Sequence, residues 1–339
     1  MEHDTIKLAS LLKKRCDVVV FCKKNSFIHQ QLENMPAMEF VDIRFSSRKF
    51  SPNMLFSVRR KVKEHKIKNV IFFGASELKT LYFSFLGLNL NVIVRHGTTK
   101  SSPKKDLLHR MIYSCVNIHV ALSKHLINNI KFIVPDHPGV LYKHIPQSFK
   151  FSDMQVDNVY SRFLKIVHVG RVTGGKGQID AILACKVLYD NNIEFSFTML
   201  GADDDEMYSQ QVKELLDKAD YRDKIHIEGH VSNVSEYLAS SDLLLFPSSG
   251  EGMPNALIEA LHYGIVCITY DNTVFPEFLE MGFNLHLVET GNIFVLSKTL
   301  LDVATNIESE KNMASANVRL AKDIFKPESE LHEWFGLLV

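Results

Sequence analysis

Short runs of β-branched and aromatic residues alternate with longer amphipathic segments along nearly the whole chain. Runs at 17–22, 40–45, 69–73, 91–95 and 117–122 in the first half have the length and residue types of strands. So do those at 164–169, 195–200, 224–227, 243–246, 265–270 and 285–288 in the second. Between them, segments such as 54–65, 104–113, 178–189, 206–219 and 256–263 carry helical periodicity. Strands that are apolar on both faces and separated by helices belong in parallel sheets covered on either side. Two such series, each too short for a closed eight-stranded barrel, predict an α/β chain of two doubly wound domains facing across a crevice. The polar, weakly periodic stretch 146–161 is the expected boundary, giving domains 1–150 and 151–339. Two domains is also the natural division for 339 residues.

Charge changes this picture more than composition does. The chain holds 39 Lys and Arg against 39 Asp and Glu, yet residues 1–150 carry an excess of +15 and residues 151–339 one of −15. A basic half joined to an acidic half points to different partners for each, with an anion or anionic surface facing the basic half. The five cysteines are odd in number, widely spaced and mostly within apolar runs, as reduced thiols are. No cluster of His and Cys has metal-ligand spacing, so no metal is expected. The start of the chain lacks a basic segment followed by an apolar core, and the apolar stretch 70–94 is interrupted by Glu77 and Lys79, so neither a signal peptide nor a spanning helix is expected.

In open α/β sheets ligands bind beyond the carboxyl ends of the strands. Three loops of the second half therefore stand out. After 164–169 comes Gly170, Arg171, Val172, Thr173, Gly174, Gly175, Lys176 and Gly177, just before a helix. Small residues admit an anion to the backbone amides, the helix start adds partial positive charge, and Arg171 and Lys176 add full charges. The loop nearly matches a nucleotide-hydrolase phosphate loop, but Gly177 stands where a hydroxyl should hold magnesium. After 243–246 come Glu251, Gly252, Met253, Pro254 and Asn255, opening a helix that contains Glu259. Carboxylates at two depths can accept hydrogen bonds from a polyhydroxylated ligand. After 265–270, Glu277 follows Pro276 at a helix start, where capping and ligand contact are equally consistent with a carboxylate.

These residues, in this order and context, resemble the donor-binding domain of retaining GT-B glycosyltransferases of family 4, the group 1 glycosyl transferases. The resemblance rests on Val169-Gly170-Arg171 with Lys176-Gly177, on Phe246-Pro247-Ser248, and on the run from Glu251 to Glu259. It implies that Arg171 and Lys176 bind the diphosphate of a nucleotide-sugar and stabilise the charge on its departure, without metal or cofactor. It further implies that Glu259 holds the ribose, that Glu251 positions the transferred sugar rather than attacking it, and that Gly170, the amides of Gly252 to Asn255, and Glu277 help bind the donor. In the first half, His96 after 91–95 matches a histidine that reaches the donor sugar in that family. The run Arg95-His96-Gly97-Thr98-Thr99-Lys100 looks similar to lipopolysaccharide-type bacterial members.

Two departures are visible. The third loop carries Asn272-Thr273-Val274-Phe275 where the family has paired glycines. At the start of the chain, residues 5–14 already read as the first helix, so the first strand of the N-terminal sheet is expected to be missing, leaving a gap between its neighbours.

The cations of the basic half cluster at Arg59, Arg60, Lys61, Lys63, Lys66 and Lys68, and again at Lys100, Lys104, Lys105 and Arg110. Anionic lipid or a phosphorylated glycolipid acceptor fits them, with Leu81, Tyr82, Phe83, Phe85 and Leu86 as a conceivable insertion segment that reads better as a core helix. Nucleic acid is not expected, because no recognition motif accompanies the charge. The expectation is a cytoplasmic transferase at the inner face of a membrane, moving a sugar from a nucleotide-diphosphate donor to a surface glycan or glycolipid. Its alternative is a catalytically weak scaffold of the same fold that binds nucleotide or partner proteins.

Overall fold

A computed structural model describes residues 2–43, 52–74, 78–151 and 163–339. The strands are β1 (Val19–Lys23), β2 (Glu39–Ile43), β3 (Asn69–Phe73), β4 (Asn91–His96), β5 (Ile118–Ala121) and β6 (Leu141–His144). They continue as β7 (Leu164–Val169), β8 (Phe195–Leu200), β9 (Ile225–Gly229), β10 (Leu243–Phe246), β11 (Val266–Tyr270) and β12 (His286–Val288). Every pairing is parallel, and helices separate successive strands almost throughout. The chain is thus the expected α/β type. Only β6 has no counterpart among the apolar runs. It is a sheet-edge strand, Leu-Tyr-Lys-His, that buries none of its side chains fully.

The chain forms two compact units, Met1–Ser148 with Pro327–Val339, and Phe149–Lys326. This corrects the expected second domain, 151–339, at its C-terminal end. The helix Pro327–Phe335 belongs to the first unit because Leu331 and Trp334 bury against Leu8, Leu11, Ile93 and Val120. Its amphipathic pattern shows a buried face but not which sheet that face covers. Residues 152–161 of the expected linker lie outside the described residues.

In the second unit the strand order is β12-β11-β10-β7-β8-β9. β7 lies in the middle; the chain leaves it for β8 on one side and returns with β10 on the other. The ends of β7 and β10 therefore flank the point where winding reverses, the place such sheets reserve for ligands. One core runs beneath, from Phe195, Phe197, Leu243 and Leu245 to Ile268 and Tyr270, closed by Ala181, Cys185 and Leu188 of the helix Gln178–Asp190 and by Leu296 and Leu300.

The first unit divides its strands between two sheets, β1-β2 and β3-β4-β5-β6. Among the described residues no strand joins β1 to β3, whereas in the second unit β7 lies between β8 and β10. All five residues of β3, Asn-Val-Ile-Phe-Phe, are only half-buried although four of them are apolar. The helix Glu2–Leu12 packs to both sides, Ala9 with Val20 and Cys22, and Leu8, Leu11 and Leu12 with Ile93, Ile118 and Val120. The helix Leu78–Phe85 buries Leu81 and Phe85, so it is a core helix and not an insertion segment.

A buried polar network binds this unit together. Arg95 pairs with Asp4 at 3.5 Å, donates to Gln147 Oε1 at 2.8 Å and lies over the Phe73 ring. Ser148 donates from both its amide and its hydroxyl to Glu330 Oε2, at 2.8 and 2.6 Å, while Lys7 donates to the Ser148 carbonyl. Glu330→Ala leaves two buried donors without their acceptor and is expected to destabilise the first unit by about 2–3 kcal/mol. Trp334 is the chain's one tryptophan and is fully buried in this unit, so its fluorescence in urea unfolding measures the loss. An unchanged midpoint would contradict the clamp.

Candidate functional site

The second unit brings three loops together where its winding reverses. The first, 170–177, runs from β7 into the helix Gln178–Asp190, whose N-cap is Gly177 with φ +76°. A Cβ there would stand 2.0 Å from the Pro247 carbonyl oxygen, so only glycine permits this approach of two loops. Gly201, after β8, is equally constrained against the Gly170 carbonyl. The loop's carbonyls are then fixed one by one. His168 Nε2 donates to Lys176 O at 2.8 Å, and Gln178 Nε2 to Arg171 O at 2.9 Å. Gly175 O accepts from the Ser249 amide at 2.8 Å and lies 3.1 Å from Ser248 Oγ.

Lys176 Nζ reaches across to Glu251 Oε1 at 2.5 Å, and Ser248 Oγ lies 3.0 Å from the same oxygen. Both partners of this ion pair are largely buried. Arg171 is 64% exposed and pairs with Asp204 at 2.5 Å. The two cations of the glycine loop are thus each held on a carboxylate.

The second loop leads through Gly252 and the buried Met253 into the helix Asn255–Tyr263. Pro254 is the residue before the helix and Asn255 its first. Pro254 carries no side-chain cap, so the first turn keeps its N–H groups for other partners. Glu259 is half-buried about one turn into it.

The third loop shows how this chain manages without paired glycines. Thr273 adopts φ +47°, rare for a β-branched residue, and its Oγ1 accepts from the Glu251 amide at 3.2 Å. Asn272 Nδ2 donates to Ser248 O at 3.1 Å. Side-chain hydrogen bonds thereby tie the third loop to the second. Glu277 is buried in the first turn of the helix Phe275–Glu280.

Gly170, Arg171, Lys176, Glu251, Gly252, Met253, Pro254, Asn255, Glu259 and Glu277 therefore share the second unit, in its three loops and the helices that two of them open. His96 belongs to the first unit, at the end of β4. It is buried, with Nε2 3.0 Å from His119 Nδ1, and His119 stacks on Tyr142. Burial, then His119 and Lys100, hold His96 well below the usual histidine range; burial brings His119 down to about 4. The two neutral rings share one proton, so each fixes the tautomer of the other. His125 sits on the next helix, 3.2 Å from Thr99 Oγ1.

Sequence reasoning gave no role to His168 or His119. His168, fully buried, has its Nε2–H on Lys176 O and a pKa lowered by burial to about 4. The available signal was a histidine inside an apolar strand directly before a glycine loop.

A family model described as glycosyl transferases group 1 matches residues 150–319. CapH, a capsular polysaccharide biosynthesis glycosyltransferase of Staphylococcus aureus, is 24% identical over 327 residues, 91% of this chain and 87% of that protein. A solved glycosyltransferase from Rickettsia africae has a TM-score of 0.82 at 16% identity, covering 99% of this chain and 93% of that one. Anabaena HepE, solved in complex with UDP-glucose, has a TM-score of 0.77 at 13% identity, covering 98% and 95%. At these identities the two structures show the fold.

The neutral pair in the first unit gives a pH dependence. Unfolded histidines protonate near 6.5, whereas His96 and His119 resist protonation until well below that. Between those values the unfolded state binds more protons, so stability falls as pH falls from 6.5 toward 4, by up to about 1.4 kcal/mol per pH unit for each ring. Urea unfolding followed by Trp334 fluorescence is expected to be flat above pH 7 and to weaken from pH 6.5 to 5. An unchanged midpoint at pH 5 would contradict a neutral buried pair.

Proposed function

Since the chain belongs to the glycosyl transferases group 1 family, we propose that it transfers a sugar with retention of configuration from a nucleotide-diphosphate-sugar to a surface glycan or glycolipid. The observation that carries the reading is the Lys176–Glu251 pair. It sets the cation of a glycine-rich, anion-ready loop against the carboxylate of the neighbouring loop, where a diphosphate and the sugar attached to it need opposite partners. A bound diphosphate takes Lys176 and Arg171 from Glu251 and Asp204. Glu251 is thereby freed to accept from sugar hydroxyls, and Glu259 accepts from the ribose.

As the anomeric carbon–oxygen bond breaks, negative charge grows on the leaving diphosphate. Lys176, Arg171 and the loop amides stabilise it without a metal or cofactor. The acceptor hydroxyl attacks from the same face, and its proton passes to the departing phosphate. Glu251 positions; it does not attack. Gly170, the amides of Gly252, Met253 and Asn255 beside Pro254, and Glu277 complete donor binding, and His96 takes part in transfer. The capsule assignment of CapH supports a surface-polysaccharide acceptor, and the UDP-glucose bound to HepE supports a nucleotide-sugar donor.

Among the described residues no helix is long and apolar enough to cross a membrane. The basic first unit supports peripheral association with the anionic inner face of a membrane, in the cytoplasm. A weakly catalytic scaffold is the second reading, favoured by the lack, among the described residues, of a strand joining β1 to β3.

Transfer from a panel of nucleotide-sugars tests the proposal. Lys176→Ala and Arg171→Ala are each expected to lower kcat about 100-fold or more, with circular dichroism unchanged. Wild-type rates in both would overturn the assignment, and nucleotide binding without transfer in any pairing would favour the scaffold. Excess EDTA is expected to leave the rate unchanged; a loss restored by a divalent ion would overturn metal independence.

A further inference from the structure

The two cation clusters of the first unit differ in what lies beside them. On the helix Pro52–Glu64, Arg59 donates to the Ser84 and Leu86 carbonyls at 3.0 and 2.7 Å, and Arg60 and Lys61 pair with Glu64. Much of that charge is used locally, and the helix exposes one large apolar side chain, Phe56 at 69%.

The second cluster surrounds an exposed apolar patch. The helix Leu107–Tyr113 buries Ile112 and Tyr113 on its inner side. On its outer side Leu107 is 84% exposed, Leu108 50% and Met111 39%. Spacings of three and four residues put Met111 next to both leucines. Lys104 N donates to Ile133 O at 2.8 Å and Lys105 Nζ to Lys131 O at 3.2 Å, which brings Phe132, 56% exposed, alongside. Lys105 and Arg110 direct these hydrogen bonds to backbone carbonyls, at Lys131 and Lys105, so their charge is not spent on a carboxylate there. The acidic group in the segment, Asp106, caps the helix, accepting from the His109 amide at 3.1 Å and pairing with its ring.

Large apolar side chains held out in water beside unneutralised cations match one environment chemically, the headgroup region of an anionic bilayer. The apolar groups pass below the phosphates there while the cations stay level with them. We infer that Leu107, Leu108 and Met111, with Phe132 beside them, form the wedge by which the first unit docks on anionic lipid, with Lys104, Lys105 and Arg110 meeting the phosphates. This rests on the membrane reading above and names its surface. Scattered single apolar residues need no partner, but four together with a basic rim do.

Co-sedimentation of the full chain with vesicles tests it, using phosphatidylcholine alone and phosphatidylcholine with about one-third phosphatidylglycerol. The wild-type chain is expected to bind the anionic vesicles, more weakly at high salt. The triple variant Leu107→Ser, Leu108→Ser, Met111→Ser is expected to partition about tenfold less. These side chains face solvent, so its thermal midpoint serves as the folding control. Leu108→Trp adds a direct readout, since insertion shifts its emission to the blue while Trp334 stays buried. Anionic binding that the triple variant keeps would overturn the wedge and leave the membrane reading standing. No binding to any vesicle would overturn both. Self-association lost in the triple variant, without vesicle binding, would assign the patch to a protein partner and overturn the inference.

Discussion

The second unit depends on one close approach, that of the loop after β7 to the loop after β10. Gly177 makes it possible, because any side chain there would occupy the position of the Pro247 carbonyl oxygen. Once the loops touch, Gly175 O becomes an acceptor for Ser249, and Lys176 lies within reach of Glu251. The Glu251 amide in turn engages Thr273 of the third loop. Positioning passes through backbone and buried hydroxyls, which lose little freedom on ordering. The exposed Arg171 is held only by Asp204, an ion pair of small net value in water. It is therefore the less firmly held of the loop's two cations.

The first unit is built on burial of polar groups rather than on a continuous sheet. Arg95, Glu330, Ser148, His96 and His119 are all buried, and each has a named partner. The last helix returns to this unit with Glu328, Glu330 and Glu333, so the charge division of the sequence is softened once the units are drawn by packing. In the segment around Leu107 the basic excess that remains meets three exposed apolar side chains on one short helix.

Much of the fold could be read from the sequence because both faces of most strands are covered, which writes a continuous apolar run such as Leu164–Val169 or Leu243–Phe246. The edge strand β6 and the allegiance of the last helix were hidden for the converse reason. An edge strand buries little, and an amphipathic helix does not declare which sheet it covers. The glycine loop and its two cations stood out because phosphate chemistry demands small residues and positive charge at a helix start. The supporting groups did not. Nothing in their spacing marks His168 as the donor to Lys176 O, or His119 as the ring sharing a proton with His96, since both depend on pairing between residues that only folding makes neighbours. The Asn272–Thr273 pair stands where the family has paired glycines, and its side chains supply the tie between loops.

We propose that the loop 170–177 holds a diphosphate, its cations resting on carboxylates until one arrives. An experimental structure of the chain with a nucleoside diphosphate bound tests this most directly. The expected result has phosphate oxygens within hydrogen-bonding distance of Lys176 Nζ and the loop amides, with Lys176 released from Glu251. A nucleotide seated elsewhere, with the Lys176–Glu251 pair intact, would contradict it.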